Sequence, residues 1–271
     1  MNAQAKPFSR LLLTGAAGGL GQVLRQRLPA FARVLRVSDR AALGTGQPGE
    51  EVVHCDLADR NAVLELVAGC DAVVHFGGIS VEDRFDAILQ SNIVGVFNLY
   101  EAVRKHGIKR VVFASSNHVT GFYRQSEQID TEAPMRPDGL YGVSKCFGEN
   151  LSRFYFDRYR IETVCLRIGS SFPLVKDRRM LSTYLSYDDL VELVRCSLVA
   201  PEAGHTVIYG MSDNSVKWWD NSKAAHLGFR PKDSSDPQRE RVESAAPPPA
   251  ADHPTAVYQG GAFVLAGPFD D

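Results

Sequence analysis

The stretch Leu11-Leu12-Leu13-Thr14-Gly15-Ala16-Ala17-Gly18-Gly19-Leu20-Gly21 runs an apolar strand signal straight into a glycine turn, and the residues after it repeat with helical spacing. Strand, tight turn and helix in this order open a βαβ unit. Glycine is needed where such a turn bends sharply, where its backbone must approach a ligand, and where helix and strand lie close together. The first amides of the helix then face outward and suit negatively charged phosphates. Gly15, Gly18, Gly19, Leu20 and Gly21 are therefore candidate pyrophosphate contacts.

A lone Gly-x-x-Gly-x-x-Gly is a weak signal, because a plain glycine turn produces it too. Its strength comes from Asp39, which follows Gly21 by 18 residues at the end of the second apolar run. A carboxylate there accepts both hydroxyls of an adenosine ribose and repels a 2′-phosphate, so the pair of features predicts NAD rather than NADP. Arg40, next in sequence, blurs that preference slightly.

Outward from this loop, LLLT (11–14), VLRVS (34–38), EVVH (51–54), DAVVHF (71–76), RVVFAS (110–115) and TVCLRI (163–168) read as strands. Helical periods fall near 19–29, 59–69, 84–106, 140–159 and 187–199, the last opened by Ser186 as N-cap with Asp188 and Asp189 in the first turn. Regular alternation of this kind predicts an α/β fold, a doubly wound parallel sheet of the Rossmann type. A single domain over 1–271 is expected, with 10–168 mainly a dinucleotide-binding core. The alternation lapses after about residue 170. TVIYG (206–210) and a helix in WWDNSKAAHLG are assigned to a small substrate lobe over 169–271, and the Pro- and Ala-rich 231–256 to an irregular surface tail.

Composition narrows the function. Thirty Lys and Arg against 32 Asp and Glu leave a net charge of -2, which offers no basic field for nucleic acid or an anionic membrane. No apolar stretch approaches the length of a membrane span and the N-terminus lacks a signal-peptide pattern, so a cytoplasmic chain with small-molecule partners is expected. Five cysteines without CxxC spacing, and histidines without ligand spacing, suggest neither disulfides nor a metal.

The carboxyl ends of the strands carry the remaining candidates, since ligands of open α/β sheets bind there. Asp56-Leu57 would flank an adenine, and Phe76-Gly77-Gly78 would let the cofactor lie against bare backbone. Ser115-Ser116 ends the fifth strand, and Ser116 stands 25 residues before Tyr141. Tyr141 and Lys145, at i and i+4, share one helix face. An ammonium near a phenol favours phenolate and makes it a plausible base for an alcohol proton. Ser116, Tyr141 and Lys145 then form a hydroxyl clamp, a proton acceptor and its tuner.

With TGAAGGLG (14–21), HFGGIS (75–80), SSNHVTGFY (115–123), YGVSK (141–145), LRIGSSFP (166–173), DRRMLSTYLS (177–186) and YQGGAF (258–263), the chain resembles the extended short-chain dehydrogenases over most of its length. It departs from their usual pattern after the fifth strand, where Asn117-His118-Val119-Thr120-Gly121 replaces a Tyr-Gly pair. That departure and the short C-terminal part argue against a nucleotide-sugar epimerase or dehydratase, which remains the alternative, with a non-catalytic NAD sensor behind it. The resemblance implies oxidation of a free hexuronate such as glucuronate or galacturonate at its anomeric carbon to an aldarolactone, with hydride passing to NAD. It also implies cofactor contacts at Ser115, Ile168 and Lys145, and ring-hydroxyl contacts at Ser80, Asn117, His118 and Ser170. Arg179, or its neighbour Arg178, is the expected anchor for the sugar carboxylate, because a guanidinium meets a carboxylate with two parallel hydrogen bonds. His118 reads as a neutral hydrogen-bond donor or wall residue, Trp218-Trp219 as packing, and YQGGAF has no assigned mechanism. Homo-oligomerisation is a family-level expectation.

Overall fold

Leu11, Leu12 and Leu13 are all fully buried, which happens to consecutive strand residues only when both faces of a sheet are covered. In a computed structural model of the chain, which describes residues 6–267 and 269, Leu11 and Leu13 enter one core and Leu12 enters the other. The strands are β1 (Phe8–Thr14), β2 (Ala32–Asp39), β3 (Glu50–His54), β4 (Ala72–His75), β5 (Arg110–Ser116), β6 (Ile129–Asp130), β7 (Glu162–Ile168), β8 (His205–Gly210) and β9 (Trp219–Asp220). Seven of them form one sheet in the order β3-β2-β1-β4-β5-β7-β8, and β6 pairs with β9 apart from it. Every pairing in the large sheet is parallel.

The helices are α1 (Gly19–Arg27), α2 (Arg60–Val67), α3 (Phe85–Ile88), α4 (Gly95–Lys105), α5 (Leu140–Tyr159), α6 (Met180–Thr183), α7 (Tyr187–Val199), α8 (Arg239–Ala245) and α9 (Pro254–Val257). The core holding Leu11 and Leu13 takes Leu24 of α1 with Leu190, Leu193 and Val194 of α7, and the core holding Leu12 takes residues of α2, α4 and α5. Removing one such leucine to alanine costs about 2–5 kcal/mol. Strand order reverses between β1 and β4, and the crevice at that switch point lies between the Gly15 turn and Phe76. None of the described helices is long and apolar enough to cross a membrane.

Four expectations need correction. TVIYG belongs to the main sheet as β8, in parallel register with β7, so the sheet runs past residue 168 and the following lobe is smaller than expected. The 84–106 helix is broken by a π turn over Leu89–Val94. There Asn92 is turned inward, accepting from the Ile79 amide (2.8 Å) and donating to the Ile79 carbonyl (3.0 Å) and to Ser144 Oγ (2.9 Å). WWDNSKAAHLG is not a helix: Trp219 stacks on Tyr209 (4.9 Å, 10°) within β9, and Asn221 bonds both main-chain groups of Tyr209, leaving only a 3-10 turn over Ser222–Leu227. Both tryptophans are buried, in keeping with a packing role. The 231–256 segment carries α8, whose Val242 is buried against Val175, Met180 and Leu181. Ser186 caps α7 by accepting from the Asp189 amide at 3.0 Å.

Candidate active site

The glycine loop forms a cradle that side chains would fill. Gly15 has φ +75°, and a Cβ on it would lie 2.4 Å from the Phe76 backbone. A Cβ on Gly21 would lie 1.9 Å from the Gly15 carbonyl, so this glycine is what lets α1 start against the turn. No side chain caps the N-terminus of α1, which leaves the Gly19, Leu20 and Gly21 amides free for an anion. Asp39 stands beside the loop, its Oδ2 accepting from the Ala17 amide (3.0 Å) and its Oδ1 from Ala41 (2.9 Å). A cleft is lined by Gly15, Gly18, Asp39, Arg40, Asp56, Leu57, and by Phe76, Gly77 and Gly78. Its glycine floor and acidic end fit a dinucleotide with a free adenosine 2′-hydroxyl.

Next to this cleft lie Ser116, Tyr141 and Lys145, all nearly buried. Tyr141 starts α5, whose first turn is capped from outside the helix: Glu82 accepts from the Leu140 and Tyr141 amides at 2.8 and 2.9 Å. Gly139 permits this, as a Cβ there would sit 2.3 Å from the Glu82 carboxylate. Lys145 donates to the Ala114 carbonyl at 2.9 Å, and its ammonium is 5.6 Å from the Tyr141 ring centre. Burial lowers the Lys145 pKa to about 8 and raises that of Tyr141 to about 12, with the Ser116 hydrogen bond acting downward.

The Ser115 hydroxyl donates to buried Glu149 at 2.5 Å, and Glu149 is bound by Arg167 through bonds of 3.0 and 2.8 Å. The Ser115 side chain is thus turned away, and only its main chain is left to face a cofactor. Ile168 ends β7 beside Ser116.

The candidate substrate wall is built around Arg179. Its Nε donates to the Gln259 carbonyl (2.6 Å) and Nη1 to Ser170 Oγ (3.2 Å). The Asn117 amide, in the orientation its neighbours require, accepts from Nη2 at 2.7 Å and donates to the Ile168 carbonyl at 3.0 Å. Among the described residues Arg179 has no carboxylate partner within salt-bridge distance. Burial lowers its pKa to about 10, with Asp177 and Asp138 opposing, yet part of its surface stays open. Arg178, by contrast, points outward and donates to the Glu243 and Ala246 carbonyls at the end of α8. Asn117 and Ser170, expected to hold ring hydroxyls, spend much of their hydrogen bonding on Arg179. Ser80 is exposed in the loop carrying Glu82, with no side-chain hydrogen bond among the described residues.

His118 Nδ1 lies 2.7 Å from Asp138 Oδ2; with the carboxylate accepting, neutral His118 donates from Nδ1 and keeps Nε2 as an acceptor. Burial holds the ring below its ordinary pKa against the pull of Asp138. Phe263 stacks on the other side of the ring at 3.8 Å and 22°. Asp138, Gln259 and Phe263 are the residues sequence reasoning missed. The only signal for the last two was YQGGAF, which now has a place: Gln259 holds Arg179, Gly260 and Gly261 let the segment close on Asp138 and Arg179, and Phe263 covers His118.

Comparison with known proteins adds an independent view. A model of the NAD dependent epimerase/dehydratase family matches residues 11–185. Uronate dehydrogenase from Pseudomonas putida is 62 % identical over 265 residues, covering 97 % of this chain and 98 % of the relative. A mutant of uronate dehydrogenase from Agrobacterium tumefaciens, solved in complex with NAD, superposes with a TM-score of 0.95 at 51 % identity, covering 97 % of this chain and 99 % of that one. A glucuronic acid dehydrogenase from Chromohalobacter salexigens gives a TM-score of 0.95 at 52 % identity, with coverage of 96 % and 98 %.

Proposed function

The chain belongs to the NAD dependent epimerase/dehydratase family, and from that premise we propose that it oxidises a free hexuronate at the anomeric carbon to an aldarolactone, with NAD as cofactor. The similarity to uronate dehydrogenases over nearly the full length supports the substrate class and the cofactor. The single observation that carries the reading is Arg179, an enclosed guanidinium without a carboxylate partner among the described residues, set on the same wall as Ser116 and Asn117. A buried cation is unfavourable until an anion meets it.

Ser116 orients the anomeric hydroxyl, and Tyr141 takes its proton as the carbon becomes a carbonyl. Lys145 stabilises the phenolate by charge. The bound dinucleotide supplies the hydride acceptor. Arg179 holds the C6 carboxylate, steadied by Gln259, Ser170 and Asn117. Ser80 and His118 remain for ring hydroxyls. The proposal extends to a cytoplasmic protein that self-associates; Phe97 of α4 and Phe154 of α5, exposed by 40 % and 45 %, support the second point.

Purified protein mixed with NAD and a panel of free hexuronates, neutral aldohexoses and nucleotide sugars tests the reading. Stoichiometric NADH should appear with the hexuronates and scarcely with the others. Faster turnover of a nucleotide sugar, or conversion without net NADH, would replace it with the epimerase or dehydratase reading.

A further inference from the structure

Asp138 sits in the Pro137-Asp138-Gly139 bend before α5, where sequence alone suggests a solvated turn residue. Its side chain is fully buried instead. Two segments close over it. A Cβ on Gly121 or on Gly260 would each fall 1.9 Å from its Oδ2, so both glycines are there to make room for the carboxylate. One oxygen meets His118 Nδ1 at 2.7 Å, and Oδ1 has no partner among the described residues. A carboxylate buried this completely, half satisfied, is costly to keep as a spacer.

The group it addresses is equally constrained. His118 is pressed between Phe263 (3.8 Å) and the edge of Tyr141 (ring centres 5.9 Å apart). Its side chain keeps 9 % of its surface open, and Nε2 has no hydrogen-bond partner among the described residues. The charged and titratable groups around it are Asp138 before α5, Tyr141 within α5, Glu82 from the 79–84 loop and Arg179 at the start of α6; Phe263 brings no charge. With its proton on Nε2, the ring would turn the Nδ1 lone pair toward a carboxylate oxygen at 2.7 Å, a repulsive contact. Adding a second proton would place an imidazolium in a desolvated site, where burial acts against it more strongly than Asp138 favours it.

We propose that Asp138 is a positioning residue of the substrate site, fixing His118 as the Nδ1–H tautomer so that Nε2 presents an acceptor lone pair and the site demands a hydroxyl donor from the sugar at that point. This rests on the reading of the pocket as a sugar-acid site. It makes the wall chemically two-sided: Arg179 offers donors to the carboxylate, and His118 offers an acceptor to a ring hydroxyl. A sugar carrying hydrogen or an ether at that position leaves the lone pair unmatched and is discriminated against.

The test begins with the NAD-bound parent protein, ¹⁵N-labelled at histidine, in which long-range ¹H–¹⁵N spectra distinguish the two tautomers; His118→Gln identifies the signal. Nδ1–H is expected, and Nε2–H would overturn the proposal without reference to any substrate. In Asp138→Leu, of similar size, the ring should revert to Nε2–H, and kcat/KM for the hexuronate should fall tenfold or more, chiefly through KM, because a ring hydroxyl is held alike in ground and transition states. NAD affinity should stay unchanged. An unaltered KM in a folded Asp138→Leu, or a fall in kcat alone, would make the pair a structural pin. A monodeoxy-hexuronate panel on the parent needs no variant: one member should lose tenfold or more, and uniform turnover of all members would also refute the proposal. If the parent oxidises no hexuronate, the functional reading fails while the tautomer result still stands or falls by itself.

Discussion

Replacing Arg179 with methionine separates the charge from the shape of the wall. Burial lowers the guanidinium pKa from 12.5 to about 10, which corresponds to roughly 3 kcal/mol spent on holding the cation without an anion. Its hydrogen bonds to Gln259, Ser170 and Asn117 return about 0.5–1.5 kcal/mol each, so the two effects nearly cancel. Arg179→Met should therefore shift folding stability by no more than about 2 kcal/mol in either direction, a displacement of a few degrees in the thermal midpoint. Activity should respond far more strongly. Losing one side of an enclosed, hydrogen-bonded ion pair costs about 2–5 kcal/mol, equivalent to a fall of roughly 30- to several-thousand-fold in kcat/KM for the hexuronate. A neutral aldohexose has no carboxylate to lose, and its slow turnover should change less than about tenfold on the same argument. Steady-state NADH formation on both sugars, with NAD affinity measured by calorimetry, reads all the terms. Equal losses on both sugars, or a parallel loss of NAD affinity, would make Arg179 a structural residue; an unchanged preference for the uronate would move the anchor elsewhere on the wall.

Three further outcomes follow from the same geometry. Tyr141→Phe should abolish turnover and leave NAD affinity nearly intact, since the phenol oxygen is placed for the proton; substantial residual activity would transfer the base role to His118. Asp39→Ala should raise NADP use relative to NAD by removing the carboxylate beside the cleft while leaving Arg40 there, and a fixed ratio of the two kcat/KM values would show that Asp39 does not face the ribose. His75, fully buried with Nδ1 2.7 Å from Thr14 Oγ1, has its pKa lowered by burial to about 3. Because the unfolded chain takes up this proton near pH 6.5 and the folded protein does not, the stabilisation is present above pH 6.5 and drains away as pH falls toward 3. About 2 kcal/mol should be lost between pH 7 and 5; urea titrations of His75→Phe should lack that slope, and a parent-like slope in the variant would refute the assignment.

The sheet was legible because its evidence is local and repeated: consecutive apolar residues such as 11–13 and 111–113 can satisfy both faces only inside a covered parallel sheet. The glycine turn, Asp39, Ser116, Tyr141 and Lys145 were legible because spacing along single elements puts them at one sheet edge. What stayed hidden depends on contacts between distant segments. The π turn exists where Asn92 is drawn toward Ile79 and Ser144; Trp219 forms a strand because Tyr209 and Gln259 hold it. The burial of Asp138 is invisible in a Pro-Asp-Gly bend, because it is created by Gly121 and Gly260 arriving from either side of it along the chain. Arg178 and Arg179 are chemically identical in sequence, and only the carbonyls of α8 and of Gln259 tell them apart.

The placement of Gln259 and Phe263 also sets an order in time. Synthesis proceeds from the N-terminus and structure forms as chain becomes available, so all strands of the large sheet exist once Gly210 has been made. The segment that closes on Arg179 and His118 arrives later. Every residue of the nucleotide cradle is thus in the chain before the segment that completes the wall for sugar has been made.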